Sequence, residues 1–209
     1  MLLVPTCPVC LRRGSALCGE CAGALRPAAA LPPPPGVDRC LALLDYGGAG
    51  RELVARLKYR NLRTVLPRLA VAMASLLATG PPVDALTWAP TAPGRRRRRG
   101  FDQAELLARR VGPSIGTPAR ALLRRRPGHA QTGRTLAERR AGPAFDCAVL
   151  RVHGHVVVVD DVVTSGATAT AAARALTAAG ATRVTLLAAA RTALKRPHHN
   201  SDTLRDETE

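Results

Sequence analysis

Aromatic side chains are almost absent from this 209-residue chain, which has two Phe, two Tyr and one Trp. Hydrophobic residues still make up 46% of the sequence, so we expect a core built from Val, Leu and Ala. The shortage of rings argues against a dedicated single-strand nucleic-acid platform, because such platforms stack bases on aromatic side chains.

Long apolar runs are lacking as well. No stretch of about 18 apolar residues occurs, so the sequence predicts no membrane span. The start, MLLVPTCPVC, has no basic segment followed by a long apolar one, so it does not resemble a signal peptide. We therefore expect a cytoplasmic protein. In that reducing compartment the six cysteines are expected to be metal ligands or free thiols and not disulfides.

Acidic residues are few, with 15 against 31 basic residues and a formal net charge of +16. One interpretation is an anionic partner such as nucleic acid, a phosphorylated metabolite or a membrane surface. The other is a genome biased towards Ala, Arg and Pro codons. The charge alone leaves both open.

The cysteine spacing near the start predicts a metal site. Cys7 and Cys10 form one pair, Cys18 and Cys21 form a second, and four thiolates suit tetrahedral zinc. The short interval between the pairs implies a tight double knuckle. This segment has too few apolar residues to fold alone, so a metal would supply folding energy. Four protein ligands leave no open position, which indicates a structural ion; the alternative is four reduced surface thiols.

The rest of the chain alternates between strand and helix patterns, which indicates an α/β fold. We divide it into a four-cysteine segment (1–30), a Pro-rich linker with a helical connector (31–80), an α/β domain (81–194) and a polar tail (195–209). In the connector the pattern favours helix from Cys40 to Thr79.

Within the α/β domain, Val83 to Pro90 is predicted as a strand, followed by a basic loop and by a helix that Gly112 ends. Short strands are expected near 118–124 and 144–150, on either side of a long loop at 125–143.

The most informative stretch is GHVVVVDDVVTSGATATAAARAL, which begins at Gly154. A continuous apolar strand is followed by Asp160 and Asp161, a small-residue turn (Thr164–Thr168) and a helix. A helix N-terminus offers free N–H groups to a phosphate, and Gly166 allows close approach. The carboxylates can accept hydrogen bonds from sugar hydroxyls or bind a metal through water. Ribose 5-phosphate fits both parts; the alternative is an ordinary Thr/Ser helix cap.

This stretch resembles the phosphoribosyl-pyrophosphate (PRPP) motif of type I phosphoribosyltransferases. The resemblance implies that Asp160 and Asp161 hold the ribose hydroxyls and serve as the catalytic residues, with Mg²⁺ bound alongside PRPP. It implies a PRPP-binding set that comprises Val163, Thr164, Ser165, Gly166, Ala167 and Thr168. Arg95 and Lys58 are further candidate anion ligands.

Together with CPVC…CGEC, RLKYR and RRRRRGFDQAELLARRV, the motif resembles the ComF (competence protein F) family over most of the chain. In that family Asn is commoner where Asp102 stands. The resemblance implies a type I phosphoribosyltransferase-like fold, an open, mainly parallel sheet flanked by helices, with a small zinc knuckle.

Three functions remain open. The first is a component of DNA uptake in natural transformation that contacts single-stranded DNA or a helicase partner. The second is a nucleobase phosphoribosyltransferase of nucleotide salvage. The third is a non-catalytic PRPP sensor. The oligomeric state is also open, with a dimer as one possibility.

Overall fold

A computed structural model of the protein describes residues 4–57, 64–126 and 143–193. Its central sheet contains four strands: β1 (Arg39–Asp45), β2 (Ala85–Trp88), β5 (His155–Val163) and β6 (Arg183–Arg191). All neighbours in this sheet are parallel, in the order β1-β6-β5-β2. Two short strands, β3 (Leu123–Arg125) and β4 (Phe145–Cys147), form a separate antiparallel pair.

Helices cover both faces of the sheet. They are α1 (Gly19–Gly23), α2 (Gly48–Arg56), α3 (Leu66–Ser75), α4 (Pro93–Arg99), α5 (Gln103–Ile115) and α6 (Ala167–Ala178). The first core lies between one sheet face and α2, α3 and α5. The second lies between the other face, α6 and the β3–β4 pair. The predicted fold class, an open parallel α/β sheet flanked by helices, is therefore confirmed.

Strand β5 lies between β6 and β2 and is buried on both faces. Val157 and Val159 belong to the first core, and Val156 and Val158 belong to the second. A strand covered on both faces is expected to be continuously apolar, so the prediction of a central strand here is confirmed.

The helix predicted from Cys40 is wrong at its start, because residues 39–45 form β1. Cys40 and Ala42 pack towards the second core, while Leu41 and Leu43 pack towards the first. A short continuous apolar run fits a buried strand as well as a helix. Pairing with β6 decides the outcome, and the helical pattern holds further along, in α2 and α3.

The predicted basic loop after β2 is also wrong, because Pro93–Arg99 is helix α4. Pro93 occupies the first turn and Gly100 ends the helix with φ of +76°; both positions favour those residues. Helix α5 continues past Gly112, where we placed its end, and finishes before Gly116. A Cβ on Gly112 would lie 2.8 Å from the Thr117 carbonyl oxygen, so this glycine permits close packing.

Other expectations near these elements are confirmed or lie outside the described residues. Helix α6 ends two residues before Gly180, whose φ is +107°, close to the predicted end. The predicted loop 125–143 and the tail 195–209 lie largely or wholly outside the described ranges. Across those ranges, no helix is both long and apolar enough to cross a bilayer.

Candidate functional site

The candidate site lies at the edge of the sheet where the parallel strands end. Trp88 at the end of β2 pairs with Val159 of β5, and Val163 at the end of β5 pairs with Arg191. The connections that follow β2 and β5 therefore leave the sheet at the same edge. In open α/β sheets this edge is where ligands bind.

The turn between β5 and α6 presents exposed hydroxyls and helix N–H groups, which are groups that can hold an anion. Thr164 and Ser165 are exposed, and Gly166 is buried with φ of +77°, immediately before the first residue of the helix. The first N–H groups of a helix lack partners within it, and they point towards a ligand placed at the N-terminus. One of them, on Ala167, makes a long 3.4 Å hydrogen bond to Ser165 Oγ, which a ligand oxygen could replace.

A small cavity connects this turn to one of the two acids. Its volume is about 20 Å³, whereas one water molecule needs about 10–15 Å³, so it holds one small group. It is lined by Asp160, Val162, Val163, Thr164, Ser165, Gly166, Ala167, Thr168 and Ala169. Asp160 and all six residues of the predicted PRPP-binding set, 163–168, thus line one cavity.

Two of the remaining predicted ligands, Asp161 and Arg95, do not line this cavity. Asp161 follows Asp160 in the strand, and Arg95 is exposed on α4. Lys58 lies outside the described residues. The roles of these three residues stay predictions.

The two acids interrupt the regular pattern of β5. Asp160 accepts a 2.8 Å hydrogen bond from the Asp161 N–H, and Asp161 accepts one from the Val162 N–H at the same distance. Beyond them the alternation of faces is reversed, since Val162 packs with the first core and Val163 with the second. The alternation therefore slips by one position between Val159 and Val162, the interval that holds both carboxylates.

The electrostatic surroundings of Asp160 oppose its ionisation. Its burial raises the pKa well above the ordinary value, and the charge of Asp161 raises it further, with a smaller contribution from Asp102. Protonated or bound to a cation, Asp160 would escape this repulsion. A ligand that brings hydroxyl donors or a divalent cation to this carboxylate would therefore be favoured.

Asp102 is a buried acid that links the loop after β2 to helix α5. Its Oδ2 accepts the Thr91 N–H at 2.7 Å, and its Oδ1 accepts the N–H groups of Ala104 and Glu105 at 3.1 and 3.4 Å. Burial raises its pKa, although these hydrogen bonds counteract the shift. Asp102 is thus a helix cap that also fixes the connection between β2 and α4 through its hydrogen bond with Thr91.

The Pro-rich segment packs against the turn, which the sequence did not reveal. Pro34 is buried, and a Cβ on Gly166 would lie 2.6 Å from Pro34 Cγ. Arg191, only 8% exposed, donates to the carbonyls of Leu31 and Pro32 at 3.2 and 2.8 Å. A buried guanidinium therefore anchors residues 31–34 beside the turn Thr164–Thr168. A lone Arg ending an apolar strand was the signal that could have indicated this contact.

A larger groove opens beside the same turn. It measures about 890 Å³ and shares Ser165 and Ala167 with the small cavity. Its walls come from the alanine-rich side of α6, from the β3–β4 pair and from Pro35. A ligand whose anionic group sat in the small cavity could place further atoms in this groove.

The four predicted metal ligands come together near the N-terminus. The Sγ atoms of Cys7, Cys10, Cys18 and Cys21 all lie within 4.8 Å of one another. The Cys10–Cys18 pair is 3.7 Å apart. With Zn–S bonds of about 2.3 Å, tetrahedral geometry requires sulfurs about 3.8 Å apart, so the cluster fits a zinc ion.

Thiolate formation within this cluster is uneven. Burial opposes ionisation of Cys7, but backbone hydrogen bonds from Cys10, Cys18 and Val9 together lower its pKa to about 6. Burial raises the pKa of Cys21 to about 12, and the neighbouring thiols add to that shift. A cation among the sulfurs would favour deprotonation of all four.

This cysteine knuckle is attached to the main body. Arg56 Nη1 donates to the carbonyls of Pro8 and Val9 at 3.3 and 3.0 Å, and Arg56 pairs with Glu52 at 2.8 Å. Val9, Leu17 and Leu25 pack against the first core. The backbone between the knuckle cysteines is also tight, since Leu11 has φ of +64°, a conformation rare for a residue with a side chain.

Exposed arginines form a basic surface on α4 and α5, the two helices that follow β2. Arg95, Arg97 and Arg98 of α4 are exposed. Arg96 lies 3.4 Å from Glu105. Arg109 pairs with the same carboxylate at 2.9 Å and stacks 5.5 Å from the Trp88 ring centre. One acid thus compensates only part of the local positive charge, which leaves a surface suited to phosphate groups.

Two solved structures show a limited likeness to the chain. One is the allosteric regulatory enzyme of purine biosynthesis, with 22% identity and a TM-score of 0.43 over 61% of this chain. The other is glutamine PRPP amidotransferase from B. subtilis, with 23% identity and a TM-score of 0.42 over 60% of this chain. The chain spans about a quarter of each, 26% of their lengths.

Curated proteins give a closer comparison, although no family model matches the chain. The DNA utilization protein YhgH of Salmonella typhi is 32% identical over 205 residues, which cover 91% of this chain and 84% of that protein. The protein of the same name from Salmonella typhimurium is 31% identical with the same coverage. On this similarity, which extends over nearly the whole of both proteins, the chain belongs to the family of DNA utilization protein YhgH, the ComF family.

Proposed function

We propose that this protein binds PRPP at the end of β5, with the 5-phosphate in the turn Thr164–Thr168 and the ribose hydroxyls at Asp160 and Asp161. One observation carries the proposal: Asp160 and the whole turn line a single small cavity at the N-terminus of α6. An anion cradle beside a carboxylate matches a ligand that has a phosphate at one end and a diol close to it.

The chemistry of the edge supports a polyanionic ligand that arrives with a cation. The buried or half-buried acids here are Asp102, Asp160 and Asp161, and the charge of each of the other two raises the pKa of Asp160. Bound Mg²⁺ would neutralise negative charge on a departing pyrophosphate. The acids would orient the ribose while the turn N–H groups hold the phosphate, which fixes the sugar for attack.

If the protein is an enzyme, the reaction is transfer of the phosphoribosyl group to a nitrogen nucleophile. Pyrophosphate leaves the anomeric carbon, and the new C–N bond forms there. If it is a sensor, the same contacts bind PRPP without turnover. A screen of nucleobases for pyrophosphate release separates these two cases.

We further propose that the cysteine knuckle holds one structural zinc ion, because four Sγ atoms meet at distances close to those of a tetrahedron. No position is left open for a substrate, so this zinc would stabilise and not catalyse. Thiol ligands of this kind need a reducing compartment, which agrees with a cytoplasmic location.

A second candidate function is the handling of single-stranded DNA during DNA uptake, with or without a helicase partner. Two observations favour it: the relatives are named DNA utilization proteins, and exposed arginines line α4. Phosphate contacts from arginines predict a steep fall of affinity with salt. A binding titration with labelled single strands at several salt concentrations tests this function separately from PRPP binding.

The PRPP proposal is tested by replacing both acids. Asp160→Asn with Asp161→Asn should abolish the calorimetric binding of PRPP in Mg²⁺ without unfolding the chain, because carboxylate charge is lost while shape is kept. The control pair Glu20→Gln with Glu52→Gln removes two exposed carboxylates elsewhere and should bind normally. Normal binding by the Asp160/Asp161 variant would show that the site is assigned wrongly.

A further inference from the structure

A second cavity lies at the opposite edge of the central sheet. It measures about 470 Å³ and is lined by residues at the starts of β2 and β5, including Asp84 and Ala85, and by Gly116–Pro118 after α5. It shares no lining residue with the turn cavity. Because β5 has nine residues and strands rise about 3.3 Å per residue, the two sites are roughly 25 Å apart.

The second cavity is positively charged. Arg120, Arg151 and His153 line it, and Asp84 is the one acid that does so. Among the described residues neither guanidinium forms an ion pair. Asp84 Oδ2 already accepts the His155 N–H at 2.7 Å. Two arginines that form no ion pair within the described part of the chain therefore line a space large enough for a ligand.

The backbone that carries these cations is fixed by hydrogen bonds. The Arg120 N–H donates to the Leu86 carbonyl at 2.9 Å, and the Val152 N–H, next to Arg151, donates to the Ala179 carbonyl at 2.9 Å. The backbone of Arg120 is thereby held against β2, and the backbone beside Arg151 is held against the end of α6. The cavity is formed before any ligand arrives, so little ordering is needed on binding.

We propose that this cavity binds a small phosphorylated metabolite of about the size of a nucleoside monophosphate or diphosphate, through Arg120 and Arg151. Arginine forks match phosphate oxygens in a bidentate manner. The volume falls within the range of about 300–1,000 Å³ that small-molecule sites occupy. Pro118 and Leu122 supply apolar wall for the remainder of the ligand.

The position of His153 gives the site a local reporter. Zinc-loaded full-length protein with ¹³C-labelled histidine is titrated with adenosine 5′-monophosphate and, separately, with inorganic pyrophosphate. The His153 ring resonance, assigned with a His153→Gln variant, should shift and saturate with either probe. The Asp160→Asn/Asp161→Asn variant should respond in the same way, so this test is independent of PRPP binding at the turn.

Variants that remove equal charge distinguish specific binding in the cavity from nonspecific attraction of anions to the basic protein. Arg120→Gln with Arg151→Gln should weaken the His153 response at least tenfold, whereas Arg68→Gln with Arg110→Gln, two exposed arginines elsewhere, should leave it unchanged. Absence of saturation, or equal weakening by both pairs, would overturn the proposal. A response to an oligothymidylate but to neither small probe would also overturn it, since that outcome indicates a nucleic-acid surface.

Discussion

Replacing Gly166 with alanine tests the geometry of the turn that we propose binds the 5-phosphate. The glycine has φ of +77° at the start of α6, and the Cβ of an alanine would lie 2.6 and 2.8 Å from Pro34 Cγ and Cβ. Atoms cannot stay this close, so the Pro-rich segment or the turn must move. The substitution should therefore destabilise the protein and distort the cavity.

The size of the effect follows from three contributions. The left-handed conformation costs a residue with a Cβ about 1–2 kcal/mol, and displacing packed atoms costs about 1–3 kcal/mol. Alanine also restricts the unfolded chain, which returns about 0.4–1 kcal/mol. We expect Gly166→Ala to lower the free energy of unfolding by about 1–5 kcal/mol, with a central value of about 3 kcal/mol. Its PRPP affinity should fall at least tenfold, about 1.4 kcal/mol.

The assay is urea denaturation followed by the fluorescence of Trp88. This residue is the one tryptophan of the chain and is only 6% exposed, so unfolding changes its surroundings. The free energy is obtained by linear extrapolation, and PRPP affinity by calorimetry.

A second glycine provides the control. Gly94 in α4 has no heavy atom within 4 Å of an added Cβ and no positive φ. Gly94→Ala should be neutral or should stabilise by up to about 1 kcal/mol. If Gly166→Ala unfolded within about 0.5 kcal/mol of the wild type, a margin typical of surface changes, and bound PRPP normally, the reasoning would be refuted.

Three further predictions concern the acids and the cysteine knuckle. Asp160→Asn should stabilise the protein at neutral pH, because the folded state raises the pKa of the wild-type carboxyl. Ionisation of that carboxyl lowers the stability of the wild type as the pH rises from 3.8 through the pKa of the folded state. Denaturation curves should therefore show the variant to be more stable than the wild type at pH 7 but not at pH 3.5. Chelation of the proposed zinc should make the knuckle sensitive to protease, while Trp88 fluorescence barely changes. If the chelated protein were wholly unfolded, the zinc would stabilise more than the knuckle, which contradicts this prediction. Arg56→Gln removes the hydrogen bonds that a charged side chain donates to the knuckle, which contribute about 1–2 kcal/mol at this half-exposed position. The substitution should therefore speed the loss of zinc to a chelator roughly 5–30-fold. Arg51→Gln, on the same helix, should leave the rate of zinc loss unchanged.

Local chemistry explains why the turn and its flanking elements were predictable. The elements of this region are contiguous in sequence: a run of valines, two acids, a small-residue turn and an alanine-rich helix. Periodicity and turn residues are therefore enough to predict the strand, the turn and the helix. Strand β5, helix α6 and the cavity that joins Asp160 to the turn all agree with that prediction. The cysteine cluster was predictable for the same reason, since both pairs have ligand spacing.

The features that the sequence did not indicate depend on distant partners. Residues 39–45 become a strand because β6, more than 140 positions later, pairs with them. Pro34 meets Gly166, and Arg191 meets Leu31 and Pro32, through contacts that no local pattern encodes. The arginines after β2 form a helix because Pro93 and Gly100 define its ends, and we gave the charge run more weight than those two signals.

The central claim is that the end of β5 binds PRPP, and calorimetric titration of the zinc-loaded wild-type protein with PRPP in Mg²⁺ tests it most directly. We expect heat that saturates at one PRPP per chain. The absence of a binding isotherm under these conditions would contradict it, and the cavity shared by Asp160 and the turn would then have no role in binding this ligand.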